Sequence, residues 1–188
     1  MKTLLLPALL FCTMIISSCH STTGMGDPAP STFYLSDQTF DSLGNPSLNG
    51  WIYGRSDMDS AAHFSNNVPM GSSAKWSLEL SPGWVPTTEF VHREFTNLQS
   101  GIYKLYTWAK VTSTNGRGSI IIGRTPIQPW NPSASLEVSD TTWKQYILLD
   151  TLSQVKTTDT VSLILTGGTT EVANWKVLYN NISFEKLP

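Results

Sequence analysis

The stretch Ile102-Tyr103-Lys104-Leu105-Tyr106-Thr107-Trp108-Ala109-Lys110 decides how the chain folds. Successive side chains of a strand point to opposite faces, so Tyr103, Leu105, Thr107 and Ala109 share one face and Tyr106, Trp108 and Lys110 the other. The first set is small and apolar enough for a core. The second, aromatic rings beside a lysine, suits a face that meets solvent or a ligand. Val161, Leu163 and Leu165 against Ser162, Ile164 and Thr166 repeat the pattern, which predicts sheets with one buried face and one only partly buried.

Outward from this strand, short runs rich in β-branched and aromatic residues alternate with turn clusters, and no stretch sustains a helical period. Strands are expected over Phe33 to Phe40, Trp51 to Gly54, Ala62 to Ser65, Ala74 to Leu80, Glu89 to Leu98, Gly101 to Val111, Gly118 to Gly123, Ser135 to Val138, Thr142 to Leu149, Thr160 to Thr166 and Trp175 to Glu185. Leu43-Gly44-Asn45-Pro46, Ser81-Pro82-Gly83, Ser100-Gly101, Thr114-Asn115-Gly116, Pro129 to Pro132 and Gly167-Gly168 supply the breaks. The expectation is an all-β chain folded as a two-sheet β-sandwich or jelly roll.

The N-terminus reads differently. One positive charge at Lys2 precedes the apolar run Leu4 to Ile16, which gives way to Ser17-Ser18-Cys19. At about 13 residues the run falls short of the roughly 20 that span a bilayer as a helix, and it reads as a signal peptide over residues 1–18. Ile16-Ser17-Ser18-Cys19 looks like a bacterial lipobox, whose cysteine takes a diacylglycerol and becomes the new N-terminus. Several acyl chains make such anchoring durable where one does not. Residues 19–31, polar and without hydrophobic period, then form a lipidated cysteine and a flexible tether. Cys12 would leave with the signal and Cys19 would carry lipid, so the mature chain has no disulfide. Residues 32–188 must hold together by core packing, and roughly 155 residues suffice for one domain.

A net charge of −2 with 14% charged residues gives no basic footprint for nucleic acid. Seven Trp, six Tyr and seven Phe among many Thr, Ser, Asn and Gly are instead typical of extracellular β-proteins that touch polar, uncharged ligands. There is no Gly-x-Ser-x-Gly elbow, no His-Glu-x-x-His and no phosphate loop. Asp57 with Asp59, and Glu89 with Glu94, are the notable carboxylate groupings, against the close pair in one cleft that a glycosidase needs. No catalytic residue is expected, and no required cofactor.

Thr39-Phe40-Asp41, Asn49-Gly50-Trp51, Lys75-Trp76-Ser77-Leu78-Glu79-Leu80, Leu98-Gln99-Ser100-Gly101-Ile102-Tyr103-Lys104-Leu105, Trp143 and Asn180-Asn181-Ile182-Ser183-Phe184 follow one another in an order that resembles the carbohydrate-binding modules of families 4, 9 and 22. These are galactose-binding-like jelly rolls. The resemblance spans nearly the whole of residues 32–188. It implies a non-catalytic sandwich that binds polysaccharide or oligosaccharide on a concave face or a loop rim, often with a structural calcium near the joined first and last strands. Carried over residue by residue, that metal falls to Asp41 and to Asn180 or Asn181, with an amide where the family usually has a carboxylate, a change that weakens the site. Otherwise Asp41 simply caps a turn.

Sugar recognition needs flat aromatic faces together with amides, carboxylates or guanidinium groups that satisfy hydroxyls. Trp108 and Tyr106 are candidates on strand-face grounds. Trp84 and Trp130 are candidates because Pro-flanked loops present them at low entropic cost. His92 and Arg93 come from Glu89-Phe90-Val91-His92-Arg93-Glu94-Phe95, where period two puts Phe90, His92 and Glu94 on one face as the possible lining of a polar cleft. Trp51, Trp76, Trp143 and Trp175 are assigned to the core, and His63 to a packed or surface position rather than a metal site. The sequence thus points to a lipid-anchored glycan-binding protein of the cell envelope that works beside enzymes or transporters. The alternative is a structural or adhesive lipoprotein that binds a protein partner, and a glycan-active hydrolase or lyase ranks behind both. His20 follows Cys19, where an aspartate would resemble an inner-membrane retention signal, so the outer membrane is the expected site.

Overall fold

The computed structural model describes residues 32–36, 45–53, 62–81, 89–124, 132–156, 158–167 and 176–188, with no account of the side chains of 32–36 and 89. Cys19, Asp41, Asp57, Asp59, Trp84, Trp130 and Trp175 lie outside them. Eleven strands are present among the described residues: β1 (Thr32–Ser36), β2 (Ile52–Tyr53), β3 (Ala62–Ser65), β4 (Ser77–Leu80), β5 (Glu89–Phe95), β6 (Gly101–Val111), β7 (Gly118–Arg124), β8 (Pro132–Val138), β9 (Lys144–Leu152), β10 (Val161–Gly167) and β11 (Val177–Lys186).

They form two antiparallel sheets. One has the order β3-β4-β11-β6-β9, with β1 also paired to β11; the other runs β2-β5-β10-β7-β8. Between the sheets, Leu78 and Leu80 of β4, Tyr103, Leu105 and Ala109 of β6, and Tyr179, Ile182 and Phe184 of β11 meet Val91 of β5, Ile120 and Ile122 of β7, and Val161, Leu163 and Leu165 of β10. The inward half of the decisive stretch is therefore core, as its alternation predicts. Thr107 joins it by donating its hydroxyl to the carbonyl of Asn180 (3.0 Å), which removes the cost of burying it.

β11 changes partner along its length. Val177 to Tyr179 pair with β4, and Ser183 to Lys186 with β1. Between these halves Asn180 lies opposite Trp108 and Ser183 opposite Tyr106, so β11 carries one residue more than β6. The extra residue is a bulge that shifts the alternation: Tyr179 faces inward before it, Ile182 and Phe184 after it. Asn181 takes the strain at φ 52°, a left-handed conformation that asparagine tolerates better than most residues.

The sheets are also tied by a polar contact. Tyr179 donates its hydroxyl to the Thr166 carbonyl of β10 (2.7 Å), with the Ser119 carbonyl of β7 at 3.2 Å. Burial pushes this phenol far above the usual tyrosine range, so it stays a donor. Gly118 leaves room for it: a Cβ there would stand 2.9 Å from the Tyr179 oxygen and 2.8 Å from the Thr166 oxygen.

The structure corrects several expectations. Ser162, Ile164 and Thr166, the set predicted to be partly exposed on β10, are buried as completely as Leu163 and Leu165. β10 lies between β5 and β7, and its outer side chains are flanked on both sides. Trp51 is core, but Trp76 and Trp143 are only half-buried. The Trp143 indole donates to Asn67 (3.3 Å) and lies under the Lys110 ammonium, 5.2 Å from the ring centre. His63 is exposed. β4 begins at Ser77 rather than Ala74 because residues 66–76 form turns, with Gly71 at φ 79°. β5 stops at Phe95, two residues before Asn97 at φ 59°.

Candidate functional site

The outer face of the five-stranded sheet is built in rows across β5, β10 and β7. Phe90, Thr166 and Ser119 form one, His92, Ile164 and Ile121 the next, and Glu94, Ser162 and Gly123 the third. Ile52 of β2 stands beside His92. Phe90, Ile121 and Ile164 make a dry cluster separate from the main core. Ile52 is 46% exposed at the rim.

Polar groups lie in this apolar setting without the usual compensation. His92 Nε2 faces the Glu94 carboxylate at 3.4 Å, while the Glu94 side chain itself remains 39% exposed. The Phe90 ring lies 5.9 Å from the imidazole. Burial pulls the His92 pKa below its ordinary value, and the adjacent Glu94 charge only partly offsets this. The imidazole is therefore neutral at neutral pH. With its proton on Nε2 toward the carboxylate, Nδ1 is a bare acceptor. That Nδ1 is buried and has no partner among the described residues, and the same holds for the hydroxyl of Ser162. An unsatisfied buried polar group costs about 1–3 kcal/mol, which a ligand group able both to donate and to accept would recover. A hydroxyl is such a group.

Trp108 and Tyr106 lie elsewhere, half-buried on the outer face of the six-stranded sheet. Tyr106 accepts from the Gln145 amide at 3.3 Å. Ile147, opposite Tyr106 on β9, and Leu149, opposite Lys104, are exposed. Arg93 belongs to neither outer face. It follows Val91 on the core side of β5, opposite Leu163, so the adjacent candidates His92 and Arg93 diverge. Alternation already separates those two residues. Ser162 was missed because a lone serine in an apolar strand carries no signal until its neighbours across the sheet are known.

Of the implied calcium pair, Asn180 is described and Asp41 is not. Asn180 donates its amide to the Trp76 carbonyl (2.7 Å) and accepts from the Ser72 hydroxyl (3.0 Å), so its side chain pins residues 72–76 to β11. Asn181 is the residue of the bulge. Among the described residues no group of three His, Cys, Asp or Glu side chains converges on a metal position.

No protein-family model and no curated protein sequence matches the chain. Solved structures do. A family 16 carbohydrate-binding module shares 16% identity at a TM-score of 0.53, over 73% of this chain and 91% of its own. The CBM22-1 xylan-binding domain of a Paenibacillus barcinonensis xylanase gives 11% identity and a TM-score of 0.53, over 84% of this chain and 96% of its own. The CBM22-1 and GH10 modules of a Clostridium thermocellum endo-1,4-β-D-xylanase, in complex with xylohexaose, give 12% and 0.53, covering 84% of this chain and 29% of that one. The chain has the jelly-roll fold of carbohydrate-binding modules, the fold its sequence resemblance implies.

Proposed function

We propose that this chain is a non-catalytic glycan-binding lipoprotein of the bacterial envelope, anchored through Cys19, that binds polysaccharide across the outer face of its five-stranded sheet. The observation that carries the reading is the grouping of the His92–Glu94 pair with the His92 Nδ1 and Ser162 hydroxyl, unpartnered among the described residues, beside the Phe90 ring. Glu94 offers its exposed carboxylate to a sugar hydroxyl, and the buried His92 imidazole behind it fixes that carboxylate in place. Such an accessory holds polysaccharide near partner enzymes or transporters while contributing no chemistry of its own. The match in fold to modules whose names record carbohydrate or xylan binding supports the ligand class. The lipobox and the polar segment after it support the anchor. The outer membrane is the proposed site.

A glycan array probed with the purified protein tests this, followed by calorimetry on any hit. Glu94→Gln and His92→Ala are each expected to weaken binding by about 1.5–3 kcal/mol, the scale of a hydrogen bond to a charged group, and Trp108→Ala to leave it unchanged. Loss of binding in Trp108→Ala alone would move the site to the six-stranded sheet. Silence across plant, host and bacterial glycans by a folded protein would sink the glycan reading. The favoured surface for a protein partner would then be the exposed strip of Ile102, Ile147 and Leu149.

A further inference from the structure

Two buried donors without acceptors among the described residues sit side by side at the β2 edge of the sandwich. β2 and β5 pair with Ile52 opposite His92 and Tyr53 opposite Val91, and we extend that register one residue beyond β2, which would set Trp51 opposite Arg93. Both side chains are on the core side, since Trp51 packs in the main core and Arg93 shares its face with Val91. Directly opposed residues of this kind have Cβ atoms about 4.5–5.5 Å apart. The Trp51 indole N–H and the Arg93 Nη1 are both buried, and neither has a hydrogen-bond partner among the described residues. An indole donates only, and so does a guanidinium, so neither group can satisfy the other.

The guanidinium is held in place. It lies against Gly50, where a Cβ would stand 3.2 Å from Arg93 Cζ and Nη2 and 3.3 Å from Nη1. Gly50 has φ 82° and closes a turn in which the Trp51 amide donates to the Leu48 carbonyl (2.9 Å). Burial lowers the Arg93 pKa, yet arginine keeps its charge in proteins. The neighbouring carboxylate, Glu94, points to the other face and to His92. Among the described residues, Glu79, Glu137 and Glu185 are paired with Lys176, Arg117 and Lys104. Arg93 is only partly covered, which leaves its site a way in.

We propose that Trp51 and Arg93 form an oxyanion site at the β2–β5 edge, which takes a carboxylate or sulfate group. Its planar fork matches a carboxylate or sulfate edge, and the indole N–H supplies a further donor. The site is on the opposite side of β5 from His92, so it stands or falls independently of the glycan face. The anion is either free in solution or a substituent of an acidic glycan such as a uronate.

The test follows the Trp51 indole and Arg93 Nε–H resonances of the ¹⁵N-labelled protein, with the indole signal assigned by its disappearance in Trp51→Phe. Sodium sulfate, sodium galacturonate and glucose are titrated separately against chloride at constant ionic strength. Saturable shifts of both resonances with an anion, absent with glucose and abolished by Arg93→Gln, are expected. Saturation by sulfate as well as galacturonate assigns the site to free oxyanions; saturation by galacturonate alone assigns it to a sugar-borne carboxylate. No saturable shift with either anion, in a protein whose spectrum is that of a folded chain, would overturn the proposal and leave the two donors to ordered water. Arg93→Lys, which keeps the charge without the fork, serves as the second variant if Arg93→Gln does not fold; it is expected to weaken the response without abolishing it, and an unchanged response would refute the forked contact.

Discussion

On the outer face of the six-stranded sheet, Ile147 and Leu149 of β9 are 51% and 56% exposed; on the outer face of the five-stranded sheet, Ile121 of β7 is 4% exposed and Ile164 of β10 not at all. The residues are of one chemical kind and lie in strands of similar alternation. They differ in placement. β9 is the last strand of its sheet, whereas β10 has β5 and β7 on its two sides. An isoleucine in the middle of a sheet gains tall neighbours from both flanks, while one on the edge strand gains them from a single flank. Polar groups follow the same rule: Tyr106 on the open face finds Gln145, while Ser162 on the closed face finds no partner among the described residues.

Paired truncations break this comparison most directly. Ile164→Ala is expected to cost about 2–5 kcal/mol, as for a core aliphatic side chain, and Ile147→Ala about 0.5 kcal/mol or less, as for a surface one. Urea denaturation of the two variants measures the difference, and equal losses would show that the two faces are alike in energy. Asn180→Ala comes next. It leaves the Trp76 carbonyl without its donor and the Ser72 hydroxyl without its acceptor, for an expected cost of about 1–3 kcal/mol by the same measurement. Addition of calcium to the parent protein sharpens the result. A midpoint unmoved by the ion would leave Asn180 a purely structural residue.

The smallest effect is in pH. The folded-state pKa of His92 lies below the ordinary 6.5, so the unfolded chain binds a proton more readily than the folded one. Stability from this residue is fully present above pH 6.5, falls as pH drops from there toward the depressed folded-state pKa, and levels off below it. Thermal melts of the parent and of His92→Gln between pH 7.5 and about 5 are expected to diverge in that window. Parallel curves would mean that His92 is not desolvated.

Strand positions were legible because they depend on local alternation and turn chemistry. Gly101 to Val111 and Ala62 to Ser65 are bounded in the structure as the sequence predicts. The two faces of β6 were legible for the same reason. The dry outer face of β10 was not, since Ser162, Ile164 and Thr166 read as a half-polar set until β5 and β7 are placed beside them. The candidate site was legible in part. Phe90, His92 and Glu94 share a face by period two, but the placing of Ser162 opposite Glu94 depends on pairing between distant segments. Trp143 went astray through its residue type: an indole beside a strand suggests core, yet here Lys110 and Asn67 hold it at the surface.

The Tyr179 hydroxyl that joins β11 to the Thr166 carbonyl also lies on a load path. β1 pairs with the second half of β11, so in the proposed lipoprotein tension arriving at Thr32 from the anchor would pass along that ladder into β11. Sliding of one sheet past the other then strains the phenol's bond to β10, the strand that carries Ser162 and Ile164. Under the proposed function, drag on a bound polymer and pull on the anchor would both load this hydrogen bond between the two sheets.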